Sequence, residues 1–204
     1  MLDLKIINGQ SYIQGKLKNK DIAVKEGKIF KIGEISEEAK VVYDAKNQIV
    51  VPGCIDTQTH FREPGSTDTE DLNSGSKAAV AGGITAVFEM PNTNPPTSNI
   101  TEFQRKLDLA KNRMYCNYAF YFGATADNVS QLAQLKNLEG CCGIKLFAGS
   151  STGNLLVADE KDIDKVFQNS SKIVAVHSED EALLEINKKL IKNGDVHTHP
   201  VWRS

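Results

Sequence analysis

The sequence predicts a two-part α/β chain: a small β unit over residues 1–52, then about five βα units over residues 53–204. Three observations carry this. Short β-type runs broken by turn signals fill the first part, apolar strands alternating with helical stretches fill the second, and Pro52-Gly53 punctuates the change. In the first part the runs are Leu4-Lys5-Ile6-Ile7, Asp21-Ile22-Ala23-Val24, Ile29-Phe30-Lys31-Ile32, Val41-Val42-Tyr43 and Ile49-Val50-Val51. Asn8-Gly9 is a hairpin dipeptide that accepts positive φ at both central positions, and Glu26-Gly27-Lys28 marks another turn. These features predict a small antiparallel β unit.

In the second part the strands are read at Cys54 to His60, Ile84 to Glu89, Asn117 to Phe122, Gly143 to Phe147 and Lys172 to His177. Helices fall between them. The first runs from about Asp71 to Ala81 and stops at Gly82-Gly83; the second begins near Asn99, which has capping-box spacing to Glu102. The others cover Val129 to Leu138, Asp159 to Phe167 and Ser178 to about Asn193, with Gly194 as a stop. Strand, helix, strand in this order implies a parallel sheet with helices outside it. A closed eight-unit barrel takes about 250 residues, so the expectation is an incomplete barrel some three units short.

Composition bounds the function. With 24 Lys+Arg against 26 Asp+Glu and 40% hydrophobic residues, the chain is neither a disordered segment nor a phosphate-neutralising nucleic-acid binder. No apolar run approaches the roughly 18 residues of a membrane span, and Met1-Leu2-Asp3-Leu4-Lys5 lacks the features of a signal peptide. A cytoplasmic protein without membrane or nucleic-acid partners is the expectation. Cys54, Cys116, Cys141 and Cys142 form no C-x-x-C pair and are expected to be reduced, buried thiols.

In a parallel barrel the chemistry lies at the carboxyl ends of the strands. Those ends carry Gln58-Thr59-His60, Met90-Pro91-Asn92, Lys145 and His177. Gln58 and His60 are two apart and share a strand face; imidazole nitrogen suits zinc, but the amide half-spoils the pair. A lysine inside the apolar run Gly143-Ile144-Lys145-Leu146-Phe147 is costly as a bare ammonium. Each residue also has a plainer reading. His60 and His177 could be hydrogen-bonded core histidines, Lys145 a lysine snorkelling from a strand end, Arg62 a loop arginine paired with Glu63, and Asn92 a turn former beside proline.

Ile55-Asp56-Thr57-Gln58-Thr59-His60-Phe61-Arg62-Glu63-Pro64-Gly65 and Glu89-Met90-Pro91-Asn92-Thr93 resemble the amidohydrolase superfamily, specifically the dihydroorotases. The usual signature of that family is a D-x-H-x-H strand leading into R-E-P-G, with M-P-N-T after the second strand. Gly143 to Phe147 and Val174-Ala175-Val176-His177-Ser178-Glu179-Asp180 are similar to its later strands, and the first fifty residues to its accessory β-sandwich. The resemblance therefore implies a partial TIM-like (β/α) barrel preceded by a small β-sandwich subdomain. It implies that His60, Lys145 and His177 are metal ligands, with Lys145 N-carboxylated and bridging one or two zinc ions. It assigns Arg62 and Asn92 to the carboxylate of a small-molecule substrate, and R-E-P-G separates dihydroorotases from dihydropyrimidinase-like and allantoinase-like relatives. The implied reaction is the interconversion of dihydroorotate and N-carbamoyl-aspartate in pyrimidine biosynthesis, with zinc lowering the pKa of a water and polarising the ring carbonyl.

Two departures point the same way. Gln58 stands where the family has its first histidine, and the family's proton-shuttling aspartate is expected beyond Ser204. An open half barrel leaves strand edges bare, so a second copy, another chain or a continuation is expected to cover them. The alternative is therefore an inactive homologue or truncated product acting as an assembly partner, for instance of aspartate transcarbamoylase. His197 and His199 read as loop structure rather than ligands.

Overall fold

The computed structural model of the chain describes residues 1–149, 154–190, 200 and 203. Two compact units are present, Met1–Gly53 and Cys54–Ser204. The first holds β1 (Leu2–Ile7), β2 (Gln10–Ile13), β3 (Lys16–Asn19), β4 (Asp21–Lys25), β5 (Lys28–Gly33), β6 (Ala39–Asp44) and β7 (Ile49–Val50). They form two sheets, in the orders β5-β4-β1-β6 and β3-β2-β7. The expectation of an antiparallel unit needs correction, because β1 pairs with β6 and β2 with β7 in parallel. The parallel register aligns Leu4 with Val41 and Ile6 with Tyr43, bringing apolar side chains onto one face.

Asn8-Gly9 is likewise not a hairpin. Only Asn8 has positive φ there, and β1 and β2 lie in different sheets. Glycine at position 9 is required by packing, since a Cβ would lie 2.7 Å from Val50 Cγ2. The hairpin turns fall at Gln14-Gly15 (φ 51° and 78°) and Glu26-Gly27 (φ 52° and 71°), where both central residues are left-handed.

The second unit alternates strand and helix as the sequence predicts. β8 (Cys54–Thr59), α1 (Leu72–Ala81), β9 (Ile84–Glu89), α2 (Ile100–Ala110) and β10 (Asn117–Gly123) come first. They are followed by α3 (Val129–Leu132), β11 (Cys141–Phe147), α4 (Glu160–Asn169), β12 (Val174–His177) and α5 (Glu181–Leu190). The expected third helix is one α turn continued by a 3₁₀ stretch, Ala133–Asn137. The strands form a five-stranded sheet in the order β12-β11-β10-β9-β8, parallel throughout. Three helix starts are fixed by side chains satisfying otherwise orphaned amides: Asp71 accepts from Ser74, Asn99 from Glu102, and Asp159 from Lys161 and Asp162. Among the described residues no helix is long and apolar enough to cross a membrane.

Register divides the sheet residues between two faces. Val87, Phe120, Phe122, Ile144 and Leu146 are fully buried, and on the helix side the Phe103 ring of α2 meets Phe120 edge-to-face at 6.4 Å and Phe122 at a tilt at 6.3 Å. Each such phenylalanine contributes roughly 1.5–3 kcal/mol through burial. The thiols are all unpaired but not all buried: Cys54 is exposed, Cys116 and Cys142 are half-buried, and Cys141 is buried. Cys54 starts β8, which lies at one edge of the sheet order, so less packs against it.

Two charges lie inside this helix-side core. Glu89, at the end of β9, forms an ion pair with Lys106 of α2, and both are essentially sealed from solvent. Burial pushes the Glu89 carboxyl up to about 7 against the opposing pull of Lys106, and burial lowers the Lys106 ammonium. Glu89 also accepts from the Phe61 amide at 3.3 Å, and Lys106 donates to the Met90 carbonyl at 2.9 Å. Lys106→Met is expected to cost about 3–5 kcal/mol by stranding the carboxylate, and Glu89→Leu/Lys106→Met to recover part of that loss. Urea denaturation followed by circular dichroism checks this; a single variant as stable as the parent would refute the assignment.

Candidate active site

The site is built at the ends of β8, β9, β11 and β12. Pairing of β8 with β9 slips between Asp56 and Thr59, and the Gln58 amide donates to the Asp56 carboxylate at 2.9 Å within that irregularity. Thr59 pairs with Glu89 on the helix side, which turns Gln58 and His60 to the opposite face, that of Phe88. Phe88 sits beside Ala119 in register, and Tyr121 is two residues further along the same face. Tyr121 pairs with Gly143, Lys145 and Phe147 follow at two-residue steps, and Phe147 pairs with His177. His60, Lys145 and His177 therefore share the sheet face turned away from the helices.

Side-chain contacts agree with that register. Lys145 Nζ lies 5.0 Å from the centre of the Phe147 ring, which stacks on the His177 ring at 6.1 Å. Lys145 is buried, and desolvation lowers its pKa and favours the neutral amine. The pKa of His60 is also lowered, first by burial and then by the Arg62 charge, with Lys145 contributing; the bond to Asn92 opposes this. Both effects keep the ring neutral and able to donate a lone pair.

Each histidine has one nitrogen tied to an acceptor. His60 Nδ1 lies 2.9 Å from Asn92 Oδ1. His177 Nε2 lies 2.5 Å from Glu179 Oε2, and Arg203 Nε is 3.1 Å from the other oxygen of that carboxylate. A carboxylate can only accept here, so His177 Nε2 is the ring nitrogen that donates. Such outer partners are those that orient metal-binding imidazoles. Among the described residues no three His, Cys, Asp or Glu side chains gather as a cation site. The side chains of interest on this face are therefore His60, His177 and Lys145, and a desolvated lysine amine is one that can capture carbon dioxide as an anionic carbamate.

The loop after His60 is clamped on both sides of Arg62. The Phe61 amide is held by Glu89, while Glu63 takes the Leu72 amide at 2.9 Å and the Arg113 guanidinium at 2.7 and 3.1 Å. Glu63 thus pairs with Arg113, which answers the plainer reading of Arg62 as its salt-bridge partner. Between these anchors Arg62 adopts φ 63°, a left-handed conformation uncommon for a side-chain-bearing residue. The loop after β9 is tied to this one by the Asn94 amide, which donates to the Pro64 carbonyl at 2.9 Å. Gly65 allows the approach, because its φ is 121° and a Cβ would lie 3.0 Å from Asn94 Cβ.

Arg62 and Asn92 line one cavity of about 490 Å³, together with Ser66, Thr93, Asn94, Pro96 and Asn154. That volume suits a small ligand. The structure thus joins Arg62, Asn92 and His60 through one pocket and one hydrogen bond, and places Lys145 and His177 on the same sheet face as His60. His197 and His199 lie outside the described residues. Sequence reasoning passed over Ser66, Asn94 and Asn154, and also the two anchoring pairs. A signal existed for one of these pairs: Lys106 sits on the apolar stripe of α2 between Phe103 and Ala110, and Glu89 shares strand parity with Val87.

Comparison with known proteins follows the same lines. The chain is 35% identical over 201 residues to a dihydroorotase of Methanosarcina mazei, covering 96% of this chain and 43% of that protein. It is 34% identical over 207 residues to an allantoinase of Salmonella choleraesuis, covering 97% of this chain and 46% of that one. Among solved structures, L-hydantoinase (dihydropyrimidinase) from Arthrobacter aurescens superposes with a TM-score of 0.89 at 26% identity, covering 99% of this chain and 46% of the hydantoinase. The chain spans under half the length of these relatives. Residues 49–202 match the family described as Amidohydrolase family, and the chain belongs to that family.

Proposed function

We propose that the chain carries the first part of a metal-dependent cyclic amidohydrolase site, acting on a cyclic amide that bears a carboxylate, with dihydroorotate as the substrate. The observation that supports this most is the joint placement of Arg62 and Asn92 in one pocket, with Asn92 bonded to His60. His60, Lys145 and His177 would hold zinc, which supplies Lewis-acid polarisation of a carbonyl and lowers the pKa of a water. Arg62 presents a planar fork that matches a carboxylate through two parallel bonds, and the Asn92 carboxamide shares the same wall. Gripping that group orients the ring amide relative to the histidines. Ring opening adds one water across the amide: hydroxyl bonds to the carbonyl carbon, the C–N bond breaks, and nitrogen takes the proton.

A second reading, a non-catalytic homologue kept as an assembly partner, is favoured by Gln58. A neutral amide oxygen on the donor face is a weaker zinc ligand than imidazole. Elemental analysis of the 204-residue chain is expected to find no more than about one zinc per chain, with Gln58→His raising the content and Lys145→Ala lowering it. A ring-opening assay on dihydroorotate separates the two readings: zinc without turnover supports the assembly role.

The carboxylate grip is tested by calorimetry with N-carbamoyl-aspartate. Arg62→Met is expected to weaken binding at least about tenfold, or ~1.4 kcal/mol, while leaving a neutral cyclic amide unaffected. Equal losses for both ligands would remove the carboxylate assignment.

A further inference from the structure

We propose that Asn92 is a positioning residue for His60, fixing the imidazole in its Nδ1–H form and leaving Nε2 as the lone-pair nitrogen. The argument begins with the acceptor. Asn92 Oδ1 stands 2.9 Å from His60 Nδ1, and a carbonyl oxygen can only accept, so the ring proton resides on Nδ1. The ring is half-buried, which shields this bond in part from competing water.

The backbone makes Asn92 a rigid partner. Met90, two residues earlier, donates its amide to the Thr59 carbonyl at 2.9 Å, tying the β9 exit to the residue before His60. The Met90 carbonyl is held by Lys106, and the Pro91 carbonyl accepts from the Thr97 amide at 2.9 Å. Both partners of the His60–Asn92 bond are therefore carried on neighbouring strand ends cross-linked immediately behind them. Asn92 also lines the pocket with Arg62, so one carboxamide borders both the ligand cavity and the histidine.

The consequence for metal binding rests on the cation reading above, whereas the tautomer does not. Long-range proton–nitrogen correlation spectra of the metal-free chain, with His60 assigned by His60→Gln, are expected to show a protonated Nδ1 at His60. Asn92→Leu is expected to shift His60 to the Nε2–H form and to weaken zinc affinity, measured by competition with a chelating dye, about 10–100-fold. Asn92→Asp keeps an acceptor in place and is expected to retain the Nδ1–H form. A parental His60 protonated on Nε2, or an Asn92→Leu spectrum with the parental tautomer, overturns the proposal whatever the zinc result. If the tautomer responds as stated while the parent takes up no zinc, the positioning role stands and the metal reading falls.

Discussion

A carboxylate and an ammonium shut away from water hold both loops of the candidate site. Removing two such charges from solvent costs several kcal/mol each, and their attraction offsets this only where further hydrogen bonds complete the geometry. Here those bonds go to the Phe61 amide and the Met90 carbonyl. Glu89 therefore reaches the residue after His60, and Lys106 reaches the residue that opens the Met90-Pro91-Asn92 turn. A hydrophobic pair could fill the same volume, but it could not take up those two backbone groups, which would then be buried without partners.

Glu63 does the same work one step along the chain. Its carboxylate joins the start of α1, through the Leu72 amide, to Arg113 just beyond the end of α2. With Phe61 and Glu63 both immobilised, the residue between them has little backbone freedom left, and Arg62 adopts its left-handed φ as a consequence of that double anchoring. Backbone order at this position sets where the Arg62 side chain leaves the loop. The two anchoring glutamates are the residues by which the fold holds the backbone on either side of the arginine.

Much of this architecture was legible in the sequence. Five apolar strand segments alternating with helical stretches were sufficient for the parallel sheet, because burial on both faces and right-handed crossovers leave few alternatives. Lys145 stood out as a polar residue inside an apolar run, whereas the reading of His60, His177, Arg62 and Asn92 as site residues came from the resemblance to dihydroorotases. The β2–β3 hairpin escaped because Lys16-Leu17-Lys18-Asn19 is fully exposed and carries no alternation of buried and exposed positions. The slip in β8 escaped because register is a property of pairs of strands, and the Glu63–Arg113 clamp because it spans 50 residues. Such long-range pairings leave no periodic trace in a single chain.

The division of the sheet into two faces also explains why fold and chemistry give separate answers for this chain. The helix-side residues Val87, Phe120, Phe122, Ile144 and Leu146 are fully buried and contribute most to whether the strands assemble. Residues on the other face decide what the strand ends can bind. Gln58 lies on that second face and is exposed, so replacing an imidazole with an amide there removes no core contact. Close superposition on a hydantoinase follows from the first set of residues and is insensitive to the second. The anchors Glu89, Lys106 and Glu63 occupy an intermediate place: they belong to the core by burial and to the site by what they hold, with Arg113 half-exposed at the rim. Their presence means that the loops lining the Arg62–Asn92 cavity are held whatever side chain occupies position 58. The shape of the loops and the donors on the open sheet face are thus separable physical properties of this chain, the first resting on the Glu89–Lys106 and Glu63–Arg113 pairs and the second on side chains that the core does not need.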